Sequence, residues 1–286
     1  MSDHDIGIDE KRVYADRTGT ETLLLATDRG VAGVSVSADQ VGEFALLTRT
    51  AARDVAVESG GRVAVADADD VRVGGATAVE PSGFGAAAAV GFHDDAVLVV
   101  GTDGRVAALD GGEWTSRGTV PAARRADGAL VATAEGVYRV GRDEATYAGL
   151  DDARDVCAGS TGRRDRESAN GEGRSVSATG PWAATADGLY RLGNGWLDER
   201  DGEAVAVAAR ADRVAAVVDD ALHERGADGW TARDVPLADL AAVAYGADAL
   251  YVADADGTVA VDAGDGWRTR AIGLPGVRAA AVVAGE

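Results

Sequence analysis

The sequence predicts an all-β fold made of repeated four-stranded antiparallel units, and three observations predict it. A hairpin pattern recurs seven times, the recurrences are regularly spaced, and further short strand-like runs flank the hairpins. The hairpins are "LLLATDRGVAGVSV" (23–36), "VAVADADDVRVGG" (63–75), "VLVVGTDGRVAALD" (97–110), "LVATAEGVYRVG" (130–141), "WAATADGLYRLG" (182–193), "VAAVVDDALHERG" (214–226) and "LYVADADGTVAVD" (250–262). In each, two apolar runs enclose a short turn. Asp-Gly between alternating apolar runs is the strongest local hairpin signal, because both turn residues must tolerate positive φ. The "DD" pairs at 69–70 and 219–220 depart from it.

The flanking runs complete each unit. Ahead of the hairpins stand small apolar runs: "DVAVES" (54–59), "AAAAVGF" (86–92), "DVCAGS" (155–160), "AVAVAA" (204–209) and "LAAVAYG" (240–246). Behind them come amphipathic runs: "EWTSRG" (113–118), "GWLDER" (195–200), "GWTARD" (229–234) and "GWRTRA" (266–271). Small residues suit a first strand crowded at the axis of a radial array, and polar and aromatic residues suit a fourth strand on its rim.

Spacing tests the repeat. The second turn residues fall at 30, 70, 104, 136, 188, 220 and 257, at intervals of 40, 34, 32, 52, 32 and 37. A polar insertion, "STGRRDRESANGEGRSVSATG" (160–180), accounts for the longest interval. Residues 1–20 read as an N-terminal tail and 21–286 as a single domain. The closing run "VRAAAVVAG" (277–285) reads as the innermost strand of the first unit, which removes two open sheet edges. The predicted fold is a seven-bladed β-propeller, with six and eight blades as the neighbouring counts that the degenerate "DD" units leave open.

Composition narrows the function. Asp and Glu number 48 against 28 Lys and Arg, for a net charge of −20, and Lys11 is the one lysine. Such a surface repels nucleic acid and anionic membranes, so neither is expected as a partner. No run approaches the roughly 20 apolar residues of a helical membrane span. The start "MSDHDIGIDE" has neither the cationic region nor the apolar core of an export signal, and Cys157 is the one cysteine. A cytoplasmic protein is the expectation.

The hairpins "ATAEGVYRVG" (132–141) and "ATADGLYRLG" (184–193), with trailing "DGW" turns at 228 and 265, resemble the broad WD40/YVTN/BNR-like propeller superfamily. The acidic, lysine-poor chain is similar to a haloarchaeal propeller family within it. The resemblance covers about residues 21–286 and implies the fold. It carries over no functional residue, because the Gly-His and Trp-Asp signature is missing and the "DGW" turns lack the Ser/Thr start of an Asp box.

Few residues carry readable chemistry. Trp114, Trp196, Trp230 and Trp267 share one place in their units and are expected to pack over neighbouring blades. The histidines are His4, His93 and His223, and "HDD" (93–95) reads as a polar turn rather than a metal site. No metal and no cofactor are expected. Cys157, on an inner strand, reads as an inert buried thiol.

Topology points to one face. The loops entering the inner strands, together with the turns between second and third strands, place Arg53, Asp54, Arg154, Asp155 and Arg278 near the channel mouth. The turn acids Asp28, Asp103, Asp187 and Asp256 stand beside them. Guanidinium forks suit carboxylate or phosphate there, whereas inter-blade salt bridges and turn chemistry are the structural alternative. On the opposite face, Arg163, Arg164, Arg166 and Arg174 of the insertion form a second contact loop. The function expected is a monomeric, non-catalytic platform that binds a protein or peptide. The alternative is an enzyme of hydrolase or lyase type, or a small-anion sensor, at the channel mouth.

Overall fold

The computed structural model describes residues 19–159, 180–226 and 228–285. They form seven four-stranded antiparallel sheets arranged as a ring. The chain is an all-β, seven-bladed propeller, and the ring closes as the repeat implies. Strand Ala279–Val283 lies innermost in blade 1, beside Thr20–Thr27, Gly30–Ser37 and Gln40–Leu46. Its register on the neighbouring strand runs from Thr22↔Val283 to Ala26↔Ala279. Blades 2 to 7 follow in chain order, with inner strands Ala52–Val57, Ala87–His93, Ala123–Asp127, Ala153–Cys157, Ala204–Arg210 and Leu240–Tyr245. Among the described residues no helix is long and apolar enough to cross a membrane.

The core lies between blades rather than within them. A single four-stranded sheet cannot bury both faces, so each blade packs its apolar faces on the two adjacent blades. Leu24, Ala26 and Val31 of blade 1 pack with Val55, Val63 and Val65 of blade 2. Around the ring, Trp182 and Ala184 of blade 5 meet Val207, Val214 and Ala216 of blade 6. Leu23 and Leu25 of blade 1 meet Ala244, Tyr251 and Ala253 of blade 7. The second strands are therefore mostly buried, and Val63–Asp67 and Ala96–Gly101 are buried along their whole length. Buried Glu21 adds a polar tie between blades 1 and 7, accepting the Tyr251 hydroxyl at 2.5 Å and the Ala247 N–H at 2.6 Å.

The four repeated tryptophans each reach back onto the preceding blade. Trp196 donates its indole N–H to the Ala148 carbonyl at 2.8 Å, and Trp230 stacks edge-on against Trp182 at 5.7 Å. Trp114 packs on Phe84 at 4.7 Å, and Trp267 lies under the Arg233 guanidinium at 5.8 Å.

The hairpin turns differ from the expected positive-φ pairs at several units. In "TDRG" and "TAEG" the two loop residues keep negative φ, and the left-handed position falls on Gly30 (φ 123°) and Gly136 (φ 118°). Thr27 and Thr133 hold these turns, each donating its hydroxyl to the glycine carbonyl at 2.8 Å. The degenerate pair Asp219-Asp220 is the one that takes φ of 49° and 61°, a two-residue turn of mirror-image type. A Cβ on Gly136 would sit 2.1 Å from the Leu150 carbonyl oxygen. Gly136→Ala is therefore expected to destabilise the protein by about 2 kcal/mol, read as a lower urea midpoint. An unchanged midpoint would remove this account of the turn.

Candidate functional site

A β-bulge sets the geometry of the channel mouth. In blades 2 to 7 the register between first and second strands shifts by one residue at Arg53, Ala88, Arg124, Arg154, Val205 and Ala241. The extra residue leaves the ladder and its side chain is re-aimed, here toward the rim of the channel. Arg278 holds the matching place in blade 1, directly before Ala279 pairs with Ala26. Four of these seven positions are arginine, and Arg125 follows the one in blade 4.

The result is a cavity of about 640 Å³ lined by Arg53, Arg124, Arg125, Arg154 and Arg278. Among its described lining residues Asp28 is the one acid. The structure thus brings together three of the arginines expected from sequence and adds Arg124 and Arg125. Of the expected turn acids, Asp28 reaches the cavity, while Asp103, Asp187 and Asp256 do not line it. Asp103 accepts the Arg105 N–H at 3.1 Å within its own turn.

Three of the four bulge arginines, Arg53, Arg124 and Arg154, find their partners by a simple rule. Each reaches toward the residues entering the next inner strand. Arg124 bonds Asp152 at 2.5 Å and the Ala153 carbonyl at 3.0 Å, and Arg154 pairs with Glu203. Blade 3 offers alanine at that place, so Arg53 reaches only the Ala87 carbonyl, at 3.4 Å, and makes no ion pair among the described residues. Arg278 turns instead to Asp28 in its own blade, at 2.6 Å.

Asp54 and Asp155 stand one residue deeper, at the waist. Asp54 is buried, and both its oxygens are engaged. It accepts the Val55 N–H at 2.9 Å, the Val90 N–H at 3.1 Å and the Ala126 N–H at 3.3 Å, joining blades 2, 3 and 4. Asp155 repeats the device, accepting Val156 N–H and the Val207 N–H of blade 6, both at 2.9 Å. Arg125 lies between them, 3.2 Å from Asp54 Oδ1 and 3.8 Å from Asp155 Oδ1, and donates to the Arg53 carbonyl at 2.8 Å.

Below this bridge the channel widens into a second cavity of about 1140 Å³, lined by Asp54, Glu58, Asp94, Asp95, Asp127 and Asp155 among alanines and valines. Arg125 and Arg278 border both cavities. Among the described residues the charged lining of the channel is mainly cationic at one mouth and mostly acidic at the other.

Burial dominates the acidities at the waist. It pushes Asp54 up to about 7, against the pull of Arg125, with Asp155 raising it further. Burial likewise lifts Asp155 to about 6, again opposed by Arg125. The folded state therefore holds protons that the unfolded chain releases between about pH 4 and 7. The stability that these two groups contribute is complete below pH 4 and is lost as pH rises through 6 to 7. Asp70, Glu199 and Asp262 have lowered values and act in the opposite sense below about pH 4. At constant ionic strength the urea midpoint is expected to fall between pH 5 and 8, and to fall less in Asp155→Asn. An equal fall in the variant would detach the effect from the waist.

Cys157, His93 and His223 do not line the arginine-lined cavity. Cys157 is buried, and burial, followed by Asp127, raises its thiol pKa, which suits an inert group. His93 sits exposed in its turn, 3.6 Å from Asp94. His223 is buried, and desolvation, followed by Arg200, lowers its pKa. Among the described residues no group of three or more His, Cys, Asp or Glu is arranged to hold a metal ion. Strand Ala153–Cys157 ends on the side of the second cavity, away from the arginine mouth, and Trp182 pairs with its last residue. Arg163, Arg164, Arg166 and Arg174 lie outside the described residues, as do His4 and residues 1–18 of the expected tail.

Comparison with known proteins supports the fold. The WD40 β-propeller domain of Doa1 superposes with a TM-score of 0.58 at 12% identity, covering 89% of this chain and 87% of that one. A computationally designed protein, Ika8, gives 0.54 at 15% identity, covering 93% and 94%. YCF48 bound to D1 peptide gives 0.53 at 15% identity, covering 76% and 81%. No curated protein matches the sequence. A family model does, over residues 7–283: the chain belongs to the Beta-prop_HVO_0234-like beta-propeller family.

Proposed function

We propose that the protein is a non-catalytic interaction platform that binds a protein or peptide partner through the arginine-lined mouth. One observation carries the reading. A chain of net charge −20 gathers five arginines around a single cavity. Arginine forks favour carboxylates and phosphates, and a local cationic cleft in an acidic surface selects and orients an anionic segment. Among the solved propellers similar to it in shape is YCF48, whose structure holds a D1 peptide, which supports a partner of this kind. The platform works as a monomer in the cytoplasm on this reading. The insertion at 160–180 provides a second contact on the other face.

The enzyme alternative rests on Asp54 and Asp155, whose raised acidities are of the kind that mark active sites. All four of their oxygens are engaged by N–H groups of inner strands or by Arg125. That favours a structural origin for the shifts and leaves the platform in first place.

Affinity capture of the tagged protein from its own lysate tests the reading, with Arg53→Ala/Arg154→Ala and the outer-rim variant Arg270→Ala alongside. The expected result is a stoichiometric partner that the double variant loses and Arg270→Ala keeps. A partner retained by the double variant would move binding off the mouth. A co-purifying small molecule without a partner would put the sensor or enzyme first.

A further inference from the structure

We propose that the cavity over blade 3 is a seat for a tetrahedral oxyanion of the phosphate class, gripped between Arg53 and the Arg124–Arg125 pair. Blade 3 makes the space. Its bulge residue is Ala88, flanked by arginine in blades 2 and 4. Its second strand ends on Gly101, where blades 1, 4 and 5 carry Thr27, Thr133 and Thr185. A Cβ on Gly101 would already meet the Asp103 carboxylate, 2.5 Å away. That place is filled by the Asp103 carboxylate with the Arg105 and Phe84 side chains behind it, so the hollow between the guanidinium groups is opened by Ala88.

The donors are available. Arg53 has no ion-pair partner among the described residues and makes a single long hydrogen bond, at 3.4 Å. Arg124 and Arg278 pair with Asp152 and Asp28, whose side chains are 43% and 49% exposed. Exposed pairs of that kind are weak and exchange readily for a stronger anion. Arg125 is fixed beneath them by the waist carboxylates. A planar carboxylate is satisfied by one guanidinium fork from one side. Here the forks come from the two blades flanking a third, which suits an anion that presents oxygens in several directions. The cavity volume, about 640 Å³, falls within the range of small-molecule sites, so the anion can be the head of a larger ligand.

The seat stands whether or not a protein partner delivers the phosphate. Calorimetric titration of the full chain with inorganic phosphate, at pH 7.5 and constant ionic strength, tests it. Saturable binding is expected, weakened at least tenfold in Arg53→Ala and abolished in Ala88→Glu, which places a carboxylate in the seat. Arg270→Ala, whose guanidinium bonds the Val41 and Gly42 carbonyls on the outer rim, should bind as the parent does. Circular dichroism establishes that each variant is folded, and Arg53→Lys, expected to bind with intermediate affinity, provides a second, milder variant.

No saturable binding of phosphate, or equal weakening in Arg270→Ala, would overturn the proposal. Acetate binding as tightly as phosphate would overturn the tetrahedral assignment. A phosphoserine peptide that binds more tightly than phosphate assigns the ligand to a protein chain, and equal binding assigns it to the free anion; both keep the seat. Phosphate binding without any captured partner defeats the platform and not the seat. Partner capture without phosphate binding does the reverse.

Discussion

Removal of residues 277–286 is expected to abolish the native fold rather than lower its stability by degrees. Those residues contain the innermost strand of blade 1, paired over five residues from Thr22↔Val283 to Ala26↔Ala279. Ala279 and Val283 belong to the cluster that joins blades 1 and 2. Without the strand, Thr20–Thr27 presents an open edge, and the first and last parts of the chain lose their backbone ladder and keep only side-chain ties such as those of Glu21 and Arg270. Each blade is stable only against both neighbours, so the cost is on the order of a whole domain's stability, about 5–15 kcal/mol. The truncated chain should lack a cooperative thermal transition and be digested rapidly by protease. Adding a peptide of residues 275–286 in trans should restore part of the transition. A truncated chain that melts at the parent's temperature would refute closure by this strand.

The second large effect is at the waist. Asp54→Ala removes acceptors from three backbone N–H groups in three blades and leaves Arg125 with one distant carboxylate. Removing one member of a buried pair typically costs about 3–5 kcal/mol, because the other charge stays buried and unmatched. Urea unfolding at pH 8, above the Asp54 pKa of about 7 where the pair is charged, should show a loss in that range for Asp54→Ala. The double variant Asp54→Ala/Arg125→Ala should lose less than the sum of the two single variants, since the orphaned charge is gone. A single-variant loss below about 1 kcal/mol would mean that the bridge is ornamental to the fold.

The fold was legible because it is written in a repeat. All seven hairpins lie where the pattern placed them, and the closing strand falls where the spacing put it. The turns were read less well. In "TDRG" the hairpin signal implies two residues of positive φ, whereas Thr27 ties the loop and positive φ falls on Gly30 alone. The inner strand of blade 4 escaped notice for a physical reason. "ARRAD" (123–127) is charged, whereas the runs that mark the other inner strands are small and apolar. In the channel that strand's guanidiniums are satisfied by Asp54 and Asp152, so it can be polar without penalty. The signal was present all the same. "ARR" at 123–125 shares its Ala-Arg start with "ARDV" at 52–55 and 153–156, and aligning the three reveals Arg124 and Arg125.

The paired "RD" residues divide in a way that sequence does not announce. Arg53 and Arg154 turn up to the mouth, while Asp54 and Asp155 turn down to tie the next blades through backbone N–H groups. The bulge produces this division, because it places one residue outside the ladder and the next back inside it.

The most direct test of the platform is site-specific photocrosslinking in the native lysate, with a photoreactive residue at Ala88 in the mouth and another at Thr269 on the exposed outer strand Trp267–Ala271. The account predicts a discrete crosslinked partner from position 88, suppressed by Arg53→Ala, and none from position 269. Crosslinks from position 269 alone, or a partner at position 88 indifferent to Arg53, would contradict it.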